Sequence, residues 1–249
     1  MNKDNLGDRM KNNYENRAKN RLLRRTPVII RLDGKAFHTF TKGMQRPYDY
    51  LLADTMQQTM LELCKNIQGC KLGYTQSDEI TLFLSDYTNL NTEAWFDYNV
   101  QKMCSISSSM ATLYFNKFFK ENINIYEDNG SNFEYIKLVK SKIDNAMFDS
   151  RCFNIPKEEV CNCFIWRQQD ATRNSIQMLG QSEFSHKELQ NKSCSDIQDM
   201  LMIEKNINFN NIATMFKRGS CAINKDGEWI IDKEIPIFTQ CRNYVENLI

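Results

Sequence analysis

Residues 26–40, T-P-V-I-I-R-L-D-G-K-A-F-H-T-F, constrain this chain more than any other segment. Val28, Ile29 and Ile30 are β-branched and suit a buried strand over residues 28–32. Asp33-Gly34 ends the run, because glycine admits backbone conformations that a strand interior avoids. The segment therefore delivers a carboxylate to a point where the backbone opens and an ion or ligand can approach. What completes a site at Asp33 becomes the question for the rest of the chain.

Elements can be read in order. Residues 5–25 are polar and basic and predict a helix without a strong apolar period. A polar loop, T-K-G-M-Q-R-P-Y-D, leads to a helix over residues 49–66, whose Leu52, Met56 and Leu63 recur at helical spacing. Residues 71–85 read as two strands around the turn Q-S-D-E, since Ile80, Leu82 and Leu84 alternate with more polar neighbours. A long helix is predicted over residues 92–118, with Asn91 as its cap and Glu93 in its first turn. Residues 121–142 suggest no firm element. A strand is predicted over 148–153, and a helix that holds Pro156 in its first turn carries Trp166 and continues past Asn174. Shorter helices are expected at 185–190 and 195–204. Asp226-Gly227 marks a closing hairpin over 222–231.

Strand–helix–strand–strand–helix–strand is the split β-α-β order of ferredoxin-like domains. The expected class is thus α/β of the α+β kind: a βαββαβ core with an antiparallel sheet, additional helices and a C-terminal hairpin. With 249 residues and no linker or repeat, one compact unit is expected. Residues 1–145 would form the core with a basic N-terminal arm, and 146–249 a helical and hairpin part of the same unit.

In that topology the first and third strands are neighbours, so Asp33 and Asp78 can meet. Two carboxylates beside free main-chain carbonyls make an oxygen-donor site for Mg²⁺. Two such ions can serve an in-line phosphoryl displacement by stabilising the attacking and leaving oxygens. Gly34 would let main-chain groups approach a triphosphate, and Lys42, Arg46 and Lys102 are candidate partners for its oxygens.

Charge and cysteine content bound the function further. The net charge is +1, which announces no nucleic-acid field, yet residues 1–25 hold eight Lys or Arg against Asp4, Asp8 and Glu15. That arm, which includes Lys3, Arg24 and Arg25, reads either as a phosphate contact or as a solvated helix face. Nine cysteines without zinc-site spacing, only two histidines and a polar N-terminus predict free thiols in a reducing cytoplasm. No apolar run approaches a membrane span.

The ordered motifs R-L-D-G-K-A-F-H-T-F, R-P-Y-D, G-Y-T-Q-S-D-E, F-D-S-R, W-R-Q-Q-D, N-I-N-F-N-N and K-R-G resemble the tRNA-His guanylyltransferase family and its Thg1-like relatives, the reverse (3′-to-5′) polymerases. The resemblance runs from about residue 25 to 225. It implies a palm-like catalytic core and two Mg²⁺ ions held by Asp33, Asp78 and the Gly34 carbonyl, with Glu79 as a further catalytic carboxylate. It implies nucleotide contacts from Gly34, Lys35, Ala36, Phe37, His38, Arg46, Asp49, Ser77 and Lys102. It implies RNA contacts from Arg24, Arg25, Arg31, Arg167 and Asn174, with ATP, GTP and other NTPs as substrates, tRNA as partner and a homotetramer built as a dimer of dimers. Eukaryotic members carry H-I-N-N after W-R-Q-x-D-C, whereas this chain has Asp170-Ala171-Thr172-Arg173-Asn174-Ser175. Only Asn174 keeps a place in that pattern. The departure resembles the Thg1-like branch of bacteria, archaea and phages, and so implies templated repair of truncated tRNA 5′ ends. Strict addition of guanosine to tRNA-His is one alternative, and a non-catalytic tRNA-binding protein is another.

Overall fold

The computed structural model describes residues 5–249; Lys3 and Asp4 of the basic arm lie outside the described residues. The elements run α1 (Asn5–Asn13), β1 (Val28–Gly34), α2 (Phe37–Phe40), α3 (Tyr50–Asn66), β2 (Cys70–Gln76), β3 (Glu79–Leu84), α4 (Val100–Asp128), α5 (Phe133–Lys140), β4 (Phe148–Asn154), α6 (Lys157–Glu183), α7 (His186–Leu189), α8 (Cys194–Lys205), α9 (Thr214–Arg218), β5 (Ser220–Lys225), β6 (Glu228–Asp232) and α10 (Asn243–Glu246). The six strands form one sheet in the order β4-β1-β3-β2-β5-β6, and every pairing is antiparallel. Its first four strands have the ferredoxin-like order expected from the sequence. The closing hairpin extends the sheet by pairing β5 with β2.

Alternation along β1 separates two cores. Val28, Ile30 and Leu32 face a core shared with α3 and α4, where Phe37, Phe115 and Phe148 also pack. Ile29 faces a second core under α6, with Phe83, Phe164 and Phe238. Arg31 and Asp33 continue this second face toward the strand end, since residues two apart share a face. A third, smaller core joins α6 to α8 through Leu179 and Leu201.

Several boundaries depart from the sequence expectation. The N-terminal helix stops at Asn13, and after a short 3₁₀ turn the chain extends so that Arg21 bridges Asn99. The long helix begins at Val100 rather than near residue 92. Phe96, Asp97 and Tyr98 have φ near +50°, which no α-helix accommodates. Asn99, not Asn91, is the cap, accepting from the Lys102 amide at 3.0 Å. The helix then runs ten residues past the expected end, and α5 follows where no element was expected, capped by Asn132. Pro156 is the cap residue of α6 rather than part of its first turn. All nine cysteines are free. No helix among the described residues is long and apolar enough to cross a membrane.

Candidate active site

Asp33 stands at the end of β1, directly across from Glu79 on β3 and Asp149 on β4. Asp78 occupies the two-residue turn between β2 and β3. Ser77 initiates that turn with φ +52°, and its hydroxyl donates to the Asp78 carboxylate at 3.0 Å. The Gly34 amide donates to the Asp78 carbonyl at 3.1 Å. This bond ties the strand end to the hairpin tip and brings the two carboxylates to one spot.

After Gly34 the chain turns sharply. The Lys35 amide donates to Met147 O at 2.8 Å, Ala36 takes the left-handed conformation, and α2 begins at Phe37. A Cβ on Gly34 would lie 2.3 Å from the Phe37 ring, so only glycine lets that ring close over the strand end. Asp33, Gly34, Ala36, Phe37, His38, Ser77 and Asp78 line a cleft of about 400 Å³. A second lobe of about 280 Å³ shares His38 and Ser77 and adds Arg46, Asp49 and Gln181.

Electrostatics single out Asp78. Burial pushes its carboxyl up to about 6, and the charges of Asp33 and Glu79 add to the effect against the hydrogen bonds that lower it. Arg151 lies 3.7 Å from Asp33 but shares its guanidinium with Asp149 at 3.1 Å. Asp78 has no ion pair among the described residues. Hard oxygen donors with an unmet demand for positive charge fit Mg²⁺. No cluster of three or more His, Cys, Asp or Glu with metal-site geometry occurs among the described residues, so protein ligation would rest on the two aspartates and main-chain oxygen.

Not every expected residue reaches the cleft in the expected role. Glu79 accepts from Arg31 at 3.0 Å and from Arg167, so it is neutralised within an ion network rather than free for a metal. Arg167, with a side chain only 5 % exposed, is also paired with Asp170 and has no surface to offer an RNA phosphate; Arg31 is likewise held by Glu79. Asp49 lines the second lobe, yet its oxygens accept from the Leu52 and Gln45 amides and from Tyr135 Oη, which makes it the cap of α3. Lys102 is carried to the far end of the sheet by the late start of α4. There its amine lies 5.9 Å from the Phe96 ring, and its charge is felt by Glu15 of the N-terminal arm. Arg24 and Arg25 mark the opposite end of β1 from Asp33, where Arg24 pairs with Asp86 at 2.7 Å and with Asp97 at 3.3 Å. Lys35 is exposed outside the cleft wall, and Asn174 is half-buried on α6. Asp149 and Arg151 were given no role from the sequence. Their spacing in F-D-S-R is the signal, because alternate residues of a strand share a face.

The family model described as tRNAHis guanylyltransferase (Thg1) matches residues 7–156. The chain belongs to the Thg1 family. Members of this family of tRNA guanylyltransferases are nucleotidyltransferases. Among solved structures, a bacterial tRNA(His) guanylyltransferase (Thg1)-like protein in complex with ATP is 44 % identical, with a TM-score of 0.85 over 98 % of this chain and 99 % of that one. A bacterial Thg1-like protein in complex with GTP is 39 % identical, with a TM-score of 0.79 over 98 % and 99 %. Among curated proteins, the uncharacterised R259 of Acanthamoeba polyphaga mimivirus is 30 % identical over 217 residues, 82 % of this chain and 70 % of that protein. The probable tRNA(His) guanylyltransferase of Dictyostelium discoideum is 26 % identical over 82 % of this chain and 77 % of its own length.

Proposed function

We infer that this Thg1-family protein repairs truncated tRNA 5′ ends by templated 3′-to-5′ nucleotide addition. The observation that carries the reading is the meeting of Asp33 and Asp78 at the mouth of a cleft whose wall is the Gly34–His38 turn, in a fold shared with a Thg1-like protein that binds ATP. The D-A-T-R-N-S segment, which lacks the histidine of H-I-N-N, favours repair over obligate guanosine addition.

In the reaction the 3′-hydroxyl of an incoming NTP attacks the 5′-phosphorus of the RNA. A new phosphodiester P–O bond forms, and pyrophosphate leaves from a 5′-triphosphate, or AMP or GMP from an activated monophosphate. The Gly34–His38 backbone, His38, Ser77 and Arg46 hold the triphosphate. Asp33 and Asp78 would hold two Mg²⁺ ions, which when bound supply charge stabilisation to the attacking and leaving oxygens. Glu79, locked by its two arginines, keeps the hairpin tip in place beneath Asp78. The base is chosen by pairing with the opposite RNA strand, so few side chains need read it. The protein acts as a homotetramer in the cytoplasm.

An extension assay decides among the readings. Several tRNA transcripts lacking their first nucleotide, with a 5′-monophosphate or triphosphate, are offered each NTP in turn. Addition of the templated nucleotide to many tRNAs is the expected result. Extension of tRNA-His alone, and only by G, means a strict guanylyltransferase. Binding without any incorporation overturns the enzymatic reading for this chain.

A further inference from the structure

We propose that the indole of Trp166 is a stacking platform for the base at the 5′ end of the RNA, on the side of Asp33 opposite the nucleotide cleft. This rests on the repair reading above. Trp166 is 51 % exposed, although Val160, Cys163, Phe164 and Arg167 on the same helix are buried. A tryptophan that served only packing would be covered as they are. Instead its ring is gripped from within, with the Arg31 guanidinium 5.1 Å and the Arg167 guanidinium 4.7 Å from the ring centroid. Both guanidinium groups are bound to Glu79, so they fix the indole while having little charge left for a ligand. Half of the residue's surface nonetheless stays open to solvent, and an aromatic surface suits a flat partner. A preorganised ring loses little freedom when a base stacks on it.

Position selects the RNA rather than the incoming nucleotide. Arg31 lies two residues before Asp33 on the same face of β1, about 7 Å along the strand. The half-exposed Arg151 is its partner across on β4. None of Trp166, Arg31, Arg151 and Arg167 lines the cleft that contains His38 and Ser77. Asp33 thus separates two approaches, one along the Gly34–His38 turn and one across the face that bears Trp166. In a reaction between two nucleotides, the partner not held in the cleft arrives over that face. Stacking is tolerant of sequence, as required where pairing rather than the protein selects the base.

The test uses the full chain and a tRNA transcript with 2-aminopurine as its first nucleotide. Wild-type protein and Trp166→Phe are expected to quench the probe on binding, and Trp166→Ala to leave it bright. The RNA KM of Trp166→Ala should rise about 5- to 150-fold, while Trp166→Phe stays within about threefold and ATP affinity and melting temperature hold for both. Equal quenching by Trp166→Ala, or an RNA KM within twofold of wild type, overturns the proposal. So does a loss of ATP affinity in Trp166→Ala that matches the loss for RNA, because the ring would then serve the nucleotide or the packing. Trp166-dependent quenching without extension by the wild type would sustain the platform and overturn repair. Extension without such quenching would do the reverse.

Discussion

The amide of Gly34 donates to the carbonyl of Asp78 at 3.1 Å. One main-chain bond thereby joins the end of β1 to the turn of the β2–β3 hairpin and holds two aspartates together that 45 positions separate. The spacing of the carboxylates is set by backbone, so either side chain can be altered without dissolving the arrangement.

The first prediction uses that independence. Asp33→Ala and Asp78→Ala should each lower nucleotide addition by about 10²–10³-fold or more, with a wild-type far-UV spectrum for both and a melting temperature close to wild type for Asp33→Ala. Near-normal incorporation by either variant would remove the aspartate from the site.

Asp78 also makes stability depend on pH. Its carboxyl is raised from 3.8 to about 6 in the fold, chiefly by burial. The folded protein therefore holds the proton more tightly than the unfolded chain, and stability declines as pH rises from about 4 to about 6. At neutral pH the ionised group destabilises the metal-free protein by about 3 kcal/mol. Calorimetry in EDTA should find Asp78→Asn melting above wild type at pH 7.5 and level with it at pH 4. Millimolar Mg²⁺ should raise the wild-type melt and leave the variant unmoved.

Gly34→Ala sets a Cβ against the Phe37 ring, which is itself wedged among Phe40, Phe115 and Phe148. Denaturant titration should show a loss of about 1–3 kcal/mol, together with weaker ATP binding as the cleft wall shifts. Shortening the ring in Gly34→Ala/Phe37→Leu should return part of the binding, so that the two changes combine to less than their sum.

Asp49 separates capping from nucleotide contact. With three donors on its carboxylate, Asp49→Ala should cost about 2–3 kcal/mol of stability. At a temperature where the variant is fully folded, its KM for ATP should stay within about threefold of wild type. A large KM change in a stable protein would restore the contact role.

Arg167→Met leaves the half-buried Glu79 with Arg31 as its one partner, and should destabilise by about 1.5–3 kcal/mol. Adding Glu79→Gln should recover part of that loss, which a double-mutant cycle measures directly.

Asp33 and Asp78 were legible because each lies at a turn beside a strand, and the strand–helix–strand–strand–helix–strand order makes the first and third strands neighbours. Local signals carry no such information about partners. Glu79 reads as a free acid until Arg167, 88 positions later, folds against it. Asp49 reads as a loop acid until Tyr135 arrives from α5. The start of α4 was misread for a different reason: Phe96 and Val100 continue the apolar period, while the left-handed turn at 96–98 is set by tertiary packing of Trp95 and Tyr98. That shift of eight residues is what carries Lys102 away from the cleft.

The place of β1 inside the sheet has a consequence for biosynthesis. Its two neighbours are β3, which ends at Leu84, and β4, which ends at Asn154. Asp33 is translated early, yet its strand stays an open edge on one side until residue 154 has left the ribosome. Incomplete nascent chains therefore expose a hydrophobic Val-Ile-Ile edge, the kind of segment chaperones guard. The same delay leaves the Lys35 amide, which donates to Met147 O, without its partner in any chain that stops short of β4.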